Sequence, residues 1–202
     1  MHLAVLLALL APAANGAELL RDGDIVFQQS ASAQSDAIRL ATRSRYTHVG
    51  VVLFERGKPM VLEAIGRASF TPYAVWVARG IGGHVVVKRL ADAAEVLTAE
   101  TSELMHTLGR QMRGTPYDAH FAWDDERLYC SELVHKLYDR ATDVSLGRVQ
   151  KLGEFELHHP LVRKKLYERF GAKVPLEEPV VSPQALFEDE RLVTVFENAA
   201  PD

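Results

Sequence analysis

The only cysteine of the chain, Cys130, is the residue whose type and position most directly indicate covalent chemistry. It directly precedes the segment from Ser131 to Arg140, which has the apolar spacing of a helix. A helix N-terminus carries partial positive charge, which favours the nucleophilic thiolate. A single thiol cannot form an internal disulfide. Cys130 is therefore predicted either to be a free nucleophile or, as a continuation of the helix's apolar stripe, to be an inert core residue.

A thiol nucleophile needs a base, and His48 is the best candidate. It opens one of two β-rich runs, 48–54 and 60–65, which are separated by a short turn that contains a glycine. This pattern predicts a β-hairpin. Taken alone, a histidine such as His48 is more often a hydrogen-bonded strand residue than a catalytic base.

The hairpin geometry brings a carboxylate to the same face as His48. If Glu55 faces Lys58 across the turn, His48 faces Ile65 and Glu63 lies on the diagonal. If the register slips by two, His48 and Glu63 are directly opposite each other. In either register they share a face, because side chains alternate with period two, and they are close enough to hydrogen-bond. Glu63 would then fix the tautomer of the imidazole and stabilise its charged form. The alternative is that Glu63 lies on a solvent-exposed face.

Two tyrosines are candidates for an oxyanion-binding or substrate-contacting role. Tyr46 would point to the same face as His48 if the strand already begins there, and Tyr117 follows a Gly-Thr-Pro turn. The backbone N–H of Cys130, at a helix start, is the natural first oxyanion donor. The alternatives are an aromatic packing role for Tyr46 and a role in the wall or core for Tyr117.

Metal, cofactor and nucleic-acid chemistry have no support in the sequence. The histidines lack metal-ligand spacing: His158 and His159 are adjacent, Pro160 follows them, and no HExxH or CxxC pattern occurs. We therefore expect no metal site and no cofactor. The net charge of −4 provides no basic surplus to neutralise phosphates, so a nucleic-acid partner is not expected.

The elements that position these residues alternate between strand-like and helical patterns. They predict an α+β fold with one core, in which an antiparallel sheet packs against helices and a helical tail closes the chain. The tail, 154–202, is predicted to pack on this core as a C-terminal extension. The remaining predicted elements are a strand within 20–27, helices over 35–44, 93–112 and 160–170, a third strand over 84–90 and a helix start at Ser182-Pro183.

Residues 1–16 have the features of a secretory signal. An apolar run over 3–11 is too short to span a bilayer, and small residues follow it at 14–16. This predicts a mature single domain over 17–202 that is periplasmic or secreted. The leader contains no cysteine, so no lipoprotein anchor and no stable membrane attachment are expected. The alternatives are a mis-assigned start codon and a buried N-terminal helix.

Six blocks of the sequence occur in a characteristic order, namely 22–27, 46–52, 61–64, 114–118, 129–134 and 179–183. In this order they resemble the circularly permuted NlpC/P60 cysteine hydrolases, in particular the YiiX/YaeF-like branch. The resemblance implies a papain-like core with a rewired chain order, in which the histidine precedes the cysteine. Carried over to this sequence, it implies that Cys130 is the nucleophile, that His48 is the general base and then the general acid, and that Glu63 orients His48.

Three functions are compatible with these features. The leading one is a thiol-dependent hydrolase that cleaves an amide or peptide bond, for example in cell-wall-derived peptides, through a thioester. The second is an acyltransferase or lipid-processing enzyme with the same Cys-His chemistry, and the third is a non-catalytic ligand-binding protein. The expected partner is a small peptide, acyl-amide or lipid. An apolar channel beside Cys130 would favour the second function, and a thiol that faces away from His48 would favour the third.

Overall fold

A six-stranded antiparallel sheet forms the centre of the protein, whose computed structural model describes residues 15–199. Its strands lie in the order β4-β3-β2-β1-β5-β8, and a separate two-stranded sheet pairs β6 with β7. The predicted α+β architecture, with an antiparallel sheet packed on helices, is confirmed. The strands are β1 Ile25–Gln28, β2 His48–Glu55, β3 Lys58–Ile65, β4 Arg67–Pro72, β5 Val86–Leu90, β6 Val149–Lys151, β7 Pro179–Val181 and β8 Leu192–Glu197.

Seven α-helices surround this sheet in the described part of the chain. They are α1 Ala33–Thr42, α2 Tyr73–Arg79, α3 Ala93–Val96, α4 Ala99–Met112, α5 Cys130–Thr142, α6 Pro160–Phe170 and α7 Pro183–Phe187. The most deeply buried is α5, which packs on β2 and β3 through an apolar stripe that includes Leu133, Val134 and Leu137. The period of that stripe explains why the segment is a helix and which face it buries.

The β2–β3 hairpin has the register in which Glu55 faces Lys58, one of the two registers considered from the sequence. Glu55 pairs with Lys58 and Val51 with Leu62, while the two turn residues, Arg56 and Gly57, both have positive φ. Two residues with positive φ give the turn geometry that suits the twist of a two-residue hairpin. The register fixes which side chains of the two strands can meet.

The glycine of β2 permits this close pairing. A Cβ on Gly50 would lie 2.4 Å from a methyl carbon of Val61 and 2.9 Å from the carbonyl oxygen of Leu62. Neither distance is sterically tolerable, so only glycine fits between the two strands at this position.

Several elements differ from the sequence-based expectation. The helix expected over 35–44 begins at Ala33, with the side chain of Ser32 accepting a hydrogen bond from the N–H of Ser35. The helix expected over 93–112 is interrupted at Leu97, and Thr98 caps a new helix there. Neither β4 nor α2 was expected. The tail contains the expected helices and also two strands, of which β8 completes the main sheet.

The two ends of the described chain lie together. Gly16 is packed against Phe196 of β8, so that a Cβ at Gly16 would lie 2.5 Å from the aromatic ring. The carbonyl of Asn15 accepts a hydrogen bond of 2.6 Å from the hydroxyl of Tyr73. Most of the predicted signal sequence, 1–14, lies outside the described residues. Within 15–199, none of the helices has the length and apolar character needed to cross a membrane.

Candidate active site

Cys130 is the first residue of α5, and contacts with the tail hold this end of the helix in place. The hydroxyl of Ser131 donates to the carbonyl of Val181 at 2.9 Å, and the N–H of Val181 donates to the hydroxyl of Tyr129 at 3.1 Å. The carboxylate of Glu132 accepts from the N–H of Tyr129. The Cys130 side chain is only 4% exposed, yet it lines two separate cavities. The thiol is therefore buried but not sealed in the core.

His48 lies between a carboxylate and the thiol. Its Nε2 atom is 2.6 Å from Oε2 of Glu63, as the hairpin geometry predicts. The Cys130 side chain is its other polar neighbour: the two residues line the same cavity, and Cys130 is among the groups that raise the pKa of His48. Since Nε2 is engaged by Glu63, Nδ1 is the nitrogen that remains for the thiol. The indole of Trp76 in α2 stacks on the imidazole with 5.9 Å between ring centroids, which fixes the plane of the ring.

The surroundings of His48 favour its charged form. Burial alone lowers the pKa of the imidazole, but hydrogen bonds to Cys130 and Glu63, together with the charges of these two groups, outweigh burial and raise the pKa to about 9. Such a shift favours the imidazolium over the neutral imidazole, and an imidazolium is the partner that thiol nucleophiles use.

Glu63 is held by two residues that the sequence analysis did not identify. Its Oε1 atom accepts a hydrogen bond of 2.5 Å from the hydroxyl of Thr71 and another from the guanidinium of Arg79. Burial raises the pKa of Glu63, but the hydrogen bond and charge of His48, followed by the bonds from Thr71 and Arg79, lower it overall. Glu63 is therefore ionised. Thr71 lies on β4 and Arg79 is the last residue of α2. Neither element was predicted from the sequence, so the contacts of these two residues with Glu63 could not be predicted either.

Tyr46 is not among the described residues that line the two cavities at Cys130. The strand begins at His48 and does not include Tyr46, so the condition for its pointing with His48 is not met. Its ring stacks on Phe187 with 4.1 Å between centroids and meets Phe27 edge-on. These contacts correspond to the alternative role, an aromatic packing residue of the core.

Tyr117 does lie beside Cys130 and lines both cavities next to it. Its hydroxyl oxygen accepts a hydrogen bond of 2.6 Å from the side-chain amide of Gln34 in α1. Burial raises the pKa of Tyr117, and the charge of Cys130 raises it further. The phenol therefore stays protonated. Gln34 was not singled out from the sequence, because nothing local distinguishes it from other polar helix residues.

The two cavities that meet at Cys130 differ in chemistry. The first, which we call the apolar cavity, extends between α1 and α6, and its wall also includes the basic residues Lys165 and Arg169. Its apolar lining includes Ile38, Ala41, Phe121, Val162, Leu166 and Val181. The second, which we call the polar cleft, contains His48 as well as Cys130. Its polar lining includes Ser30, Ser32, Ser35, Thr47 and Arg79.

A metal centre does not fit this site. Within residues 15–199, no group of three or more His, Cys, Asp or Glu side chains is arranged so that it could hold a metal ion. The carboxylate of Glu63 and one nitrogen of His48 are already engaged with each other. The chemistry available here is that of a thiol, an imidazole and a carboxylate.

In this protein an antiparallel sheet carries a histidine beside a cysteine at a helix N-terminus, and the histidine comes earlier in the chain than the cysteine. This arrangement defines a papain-like hydrolase with permuted chain order. Residues 19–196 match the family described as permuted papain-like amidase enzymes, YaeF/YiiX, C92 family. The chain belongs to this family, as the sequence resemblance predicts.

Two relatives support this assignment. The chain is 45% identical over 173 residues to the uncharacterized protein YiiX of Escherichia coli strain K12, covering 86% of this chain and 84% of the relative. A crystal structure from Escherichia coli O157:H7, described as the metalloprotein YiiX, superposes with a TM-score of 0.84 at 45% identity. That match covers 88% of this chain and 97% of the solved one.

Proposed function

We propose that this protein is a cysteine amidase in which Cys130 is the nucleophile, His48 is the general base and acid, and Glu63 orients His48. The observation that carries the proposal is the buried His48–Glu63 pair, with 2.6 Å between Nε2 and Oε2 and the thiol as the other partner of the imidazole. The accessible lining position of Cys130 argues against the inert core thiol and hence against a purely binding role.

In the first half of the reaction, the Cys130 thiolate attacks the carbonyl carbon of the amide and a C–S bond forms. The resulting tetrahedral intermediate collapses as the C–N bond breaks. The imidazolium of His48 gives its proton to the departing amine. The products of this half are a thioester on Cys130, a free amine and a neutral imidazole, whose orientation Glu63 maintains.

In the second half, His48 accepts a proton from a water molecule that attacks the thioester carbonyl. The C–S bond breaks, the carboxylic acid leaves and the thiolate–imidazolium pair is restored. An acyltransferase would follow the same course with an alcohol or an amine in place of water. This alternative is retained because the lining of the apolar cavity suits the binding of an apolar acyl group.

The oxyanion of the tetrahedral intermediate needs two donors. The backbone N–H of Cys130, at the start of α5, is the first. For the second we propose the hydroxyl of Tyr117. Because its oxygen already accepts a hydrogen bond from Gln34, its own hydrogen is available for donation to the oxyanion.

The first test is the pH dependence of iodoacetamide alkylation at Cys130. We expect the wild-type thiol to react fast at pH 6, because His48 holds the thiolate as an ion pair. His48→Ala should react slowly at pH 6 and accelerate only near ~8.5, where an ordinary thiol ionises. His106→Ala is the matched control, since His106 contacts Asp22 and Glu55 instead of the thiol. It should react as the wild type does.

Equal and slow alkylation of the wild type and His48→Ala, with both proteins folded, would reject the ion pair. In that case Cys130 is a core thiol and the binding-protein hypothesis takes precedence. A fast reaction at pH 6 in the wild type alone supports the amidase and directs substrate screening to acyl amides.

A further inference from the structure

The segment around α6 is basic, although the protein as a whole is acidic. Residues 158–173 contain five Lys or Arg residues and a single carboxylate, that of Glu168, which together give a net charge of +4. The whole chain has a net charge of −4. An anionic partner would therefore be attracted to this segment in preference to the acidic remainder of the protein.

The helix carries most of these charges on the side that points away from the protein. Its inner side packs against the body of the protein, where Val162 is buried and Leu166 lines the apolar cavity. Its exposed residues follow one another at intervals of one and three, so they form a single stripe, which we call the outer face of α6. They are Pro160, Arg163, Lys164, Tyr167 and Glu168.

The cations of this surface are not neutralised by the protein itself. Glu168 pairs with Lys165, with 2.7 Å between Oε2 and Nζ. Within residues 15–199, Arg163, Lys164 and Lys173 form no salt bridge with a carboxylate. Lys173 is exposed and lies three residues beyond the end of the helix. The charges of these three side chains are therefore available to an anionic partner.

Tyr167 indicates which kind of anionic partner fits. Its side chain is 69% exposed, the largest value among the exposed large hydrophobic residues of the described chain. It lies one helical turn after Arg163 and Lys164 on the same face. A tyrosine ring combines an apolar body with a polar hydroxyl, and such rings beside Lys and Arg are typical of surfaces that rest at the headgroup level of a bilayer.

We propose that the outer face of α6, together with Lys173, binds reversibly to the surface of a bilayer that contains anionic phospholipid. Each Lys or Arg near such a surface strengthens binding by roughly fivefold, so a few cations and one tyrosine give a loose contact and not an anchor. The inference is independent of the reaction at Cys130. Arg163, Lys164, Tyr167 and Lys173 are not among the described residues that line the two cavities.

The test is co-sedimentation of the purified protein with vesicles of phosphatidylcholine, with and without about 30% phosphatidylglycerol. We expect the protein to bind the vesicles with phosphatidylglycerol at low salt. Binding should be lost in about 0.5 M NaCl, because salt screens the attraction between exposed charges. Vesicles of phosphatidylcholine alone should not bind the protein.

Two double variants locate the contact. Arg163→Gln with Lys164→Gln should weaken binding to the anionic vesicles by roughly 10- to 30-fold. Arg56→Gln with Lys58→Gln is the matched control, because it removes the same charge from exposed positions at the β2–β3 turn. It should bind as the wild type does. Lys173→Gln lies outside the helix, should weaken binding by roughly fivefold, and decides the matter if the α6 variant does not fold.

Tyr167→Ser distinguishes a bilayer from a soluble polyanion. It keeps every charge and removes the ring, so it should weaken binding to the anionic vesicles by several-fold and leave binding to heparin, a soluble sulfated polysaccharide, unchanged. Wild-type vesicle affinity in Tyr167→Ser would assign the basic segment to a soluble polyanion and overturn the proposal. No binding of the wild type to anionic vesicles at low salt, or equal binding by the α6 variant and its control, would also overturn it. None of these results bears on the alkylation test of the amidase, which is carried out without vesicles.

Discussion

The imidazole of His48 carries a proton that the unfolded chain would release at neutral pH. Its pKa rises from 6.5 to about 9 because hydrogen bonds and charges from Cys130 and Glu63 outweigh the effect of burial. A group whose folded pKa is raised stabilises the fold fully below its unfolded pKa and loses that contribution as the pH rises through the folded value. A thiolate beside this imidazolium has given up the proton that the imidazole holds, so in the wild type the pH dependence of the pair largely cancels, and the effect of His48 on stability is separable only when the thiol is removed.

We predict that in Cys130→Ser, where no thiol titrates, the free energy of unfolding falls as the pH rises from 6.5 to 9.5, because the hydrogen bond and charge of Glu63 still favour the imidazolium of His48. Urea denaturation of Cys130→Ser, with and without His48→Gln, at both pH values measures the contribution of His48 as the difference between the two pH slopes. The double variant should show the smaller fall. Identical slopes would show that Glu63 alone does not keep His48 protonated in the folded protein.

The three proposed catalytic residues could be identified from the sequence, but their supports could not. Cys130, His48 and Glu63 follow from a helix start and a hairpin register, both of which are local patterns. Arg79 and Thr71 contact Glu63 only because β4 and α2 fold back across the end of β3. Both contacts depend on tertiary packing, which cannot be inferred from the periodicity of the sequence.

At the scale of elements, the β2–β3 pair sets the distance between His48 and Glu63. The close approach of the two strands depends on Gly50, where any Cβ would collide with Val61 and with the backbone of Leu62. A side chain at this position must push β2 away from β3. Because His48 lies on β2 and Glu63 on β3, the distance between these two residues would increase.

We predict that Gly50→Ala lowers the free energy of unfolding by about 1–3 kcal/mol, as overpacking does, and slows Cys130 alkylation at pH 6. Denaturation and alkylation rates measure the two effects. Gly109→Ala is the matched control, because the closest atoms that a Cβ there would meet are the flexible ends of Leu53 and Leu62, at 3.0 and 3.1 Å, followed by the ring of Phe70 at 3.6 Å. Alkylation of Gly50→Ala at the wild-type rate would contradict the role assigned to this strand pair.

The elements that the sequence did not predict have identifiable physical reasons. The strand β4 has polar residues at Ser69 and Thr71, so its apolar alternation is weak. The helix α2 begins directly after Pro72 and spans only seven residues, which is too short for a clear helical period. The strand β8 joins the main sheet by pairing with β5, which lies more than 90 positions earlier in the chain. A local sequence pattern does not indicate such a long-range pairing.

At the scale of the whole molecule, the tail is part of the core as well as a cover for it. Its strand β8 completes the main sheet, and its strand β7 holds the start of α5 through Val181. Its helix α6 contributes Val162 and Leu166 to the wall of the apolar cavity. The chain segment that closes the fold thus also shapes the proposed acyl-binding side of the site.

We propose that residues 1–16 direct export and that the enzyme acts in the periplasm or outside the cell. Expressed as the full chain in a Gram-negative host, the protein should appear in the periplasmic fraction with its N-terminus at Ala17, as measured by mass spectrometry. Leu6→Arg with Leu9→Arg interrupts the apolar run and should leave the intact chain in the cytoplasm. Leu19→Arg, outside that run and 47% exposed, should be exported normally. Wild-type protein found intact in the cytoplasm would reject the proposal.

The contact between Gly16 and Phe196 has a consequence for how such a protein can arise. Because the two ends of the described chain touch, a tandem gene duplication would produce a chain that runs from one copy into the next without crossing the sheet. New start and stop codons in the exposed segment 124–127 would then yield the same sheet with the cysteine near the beginning and the histidine far behind it. The fold is thus compatible with either order of the cysteine and the histidine along the chain.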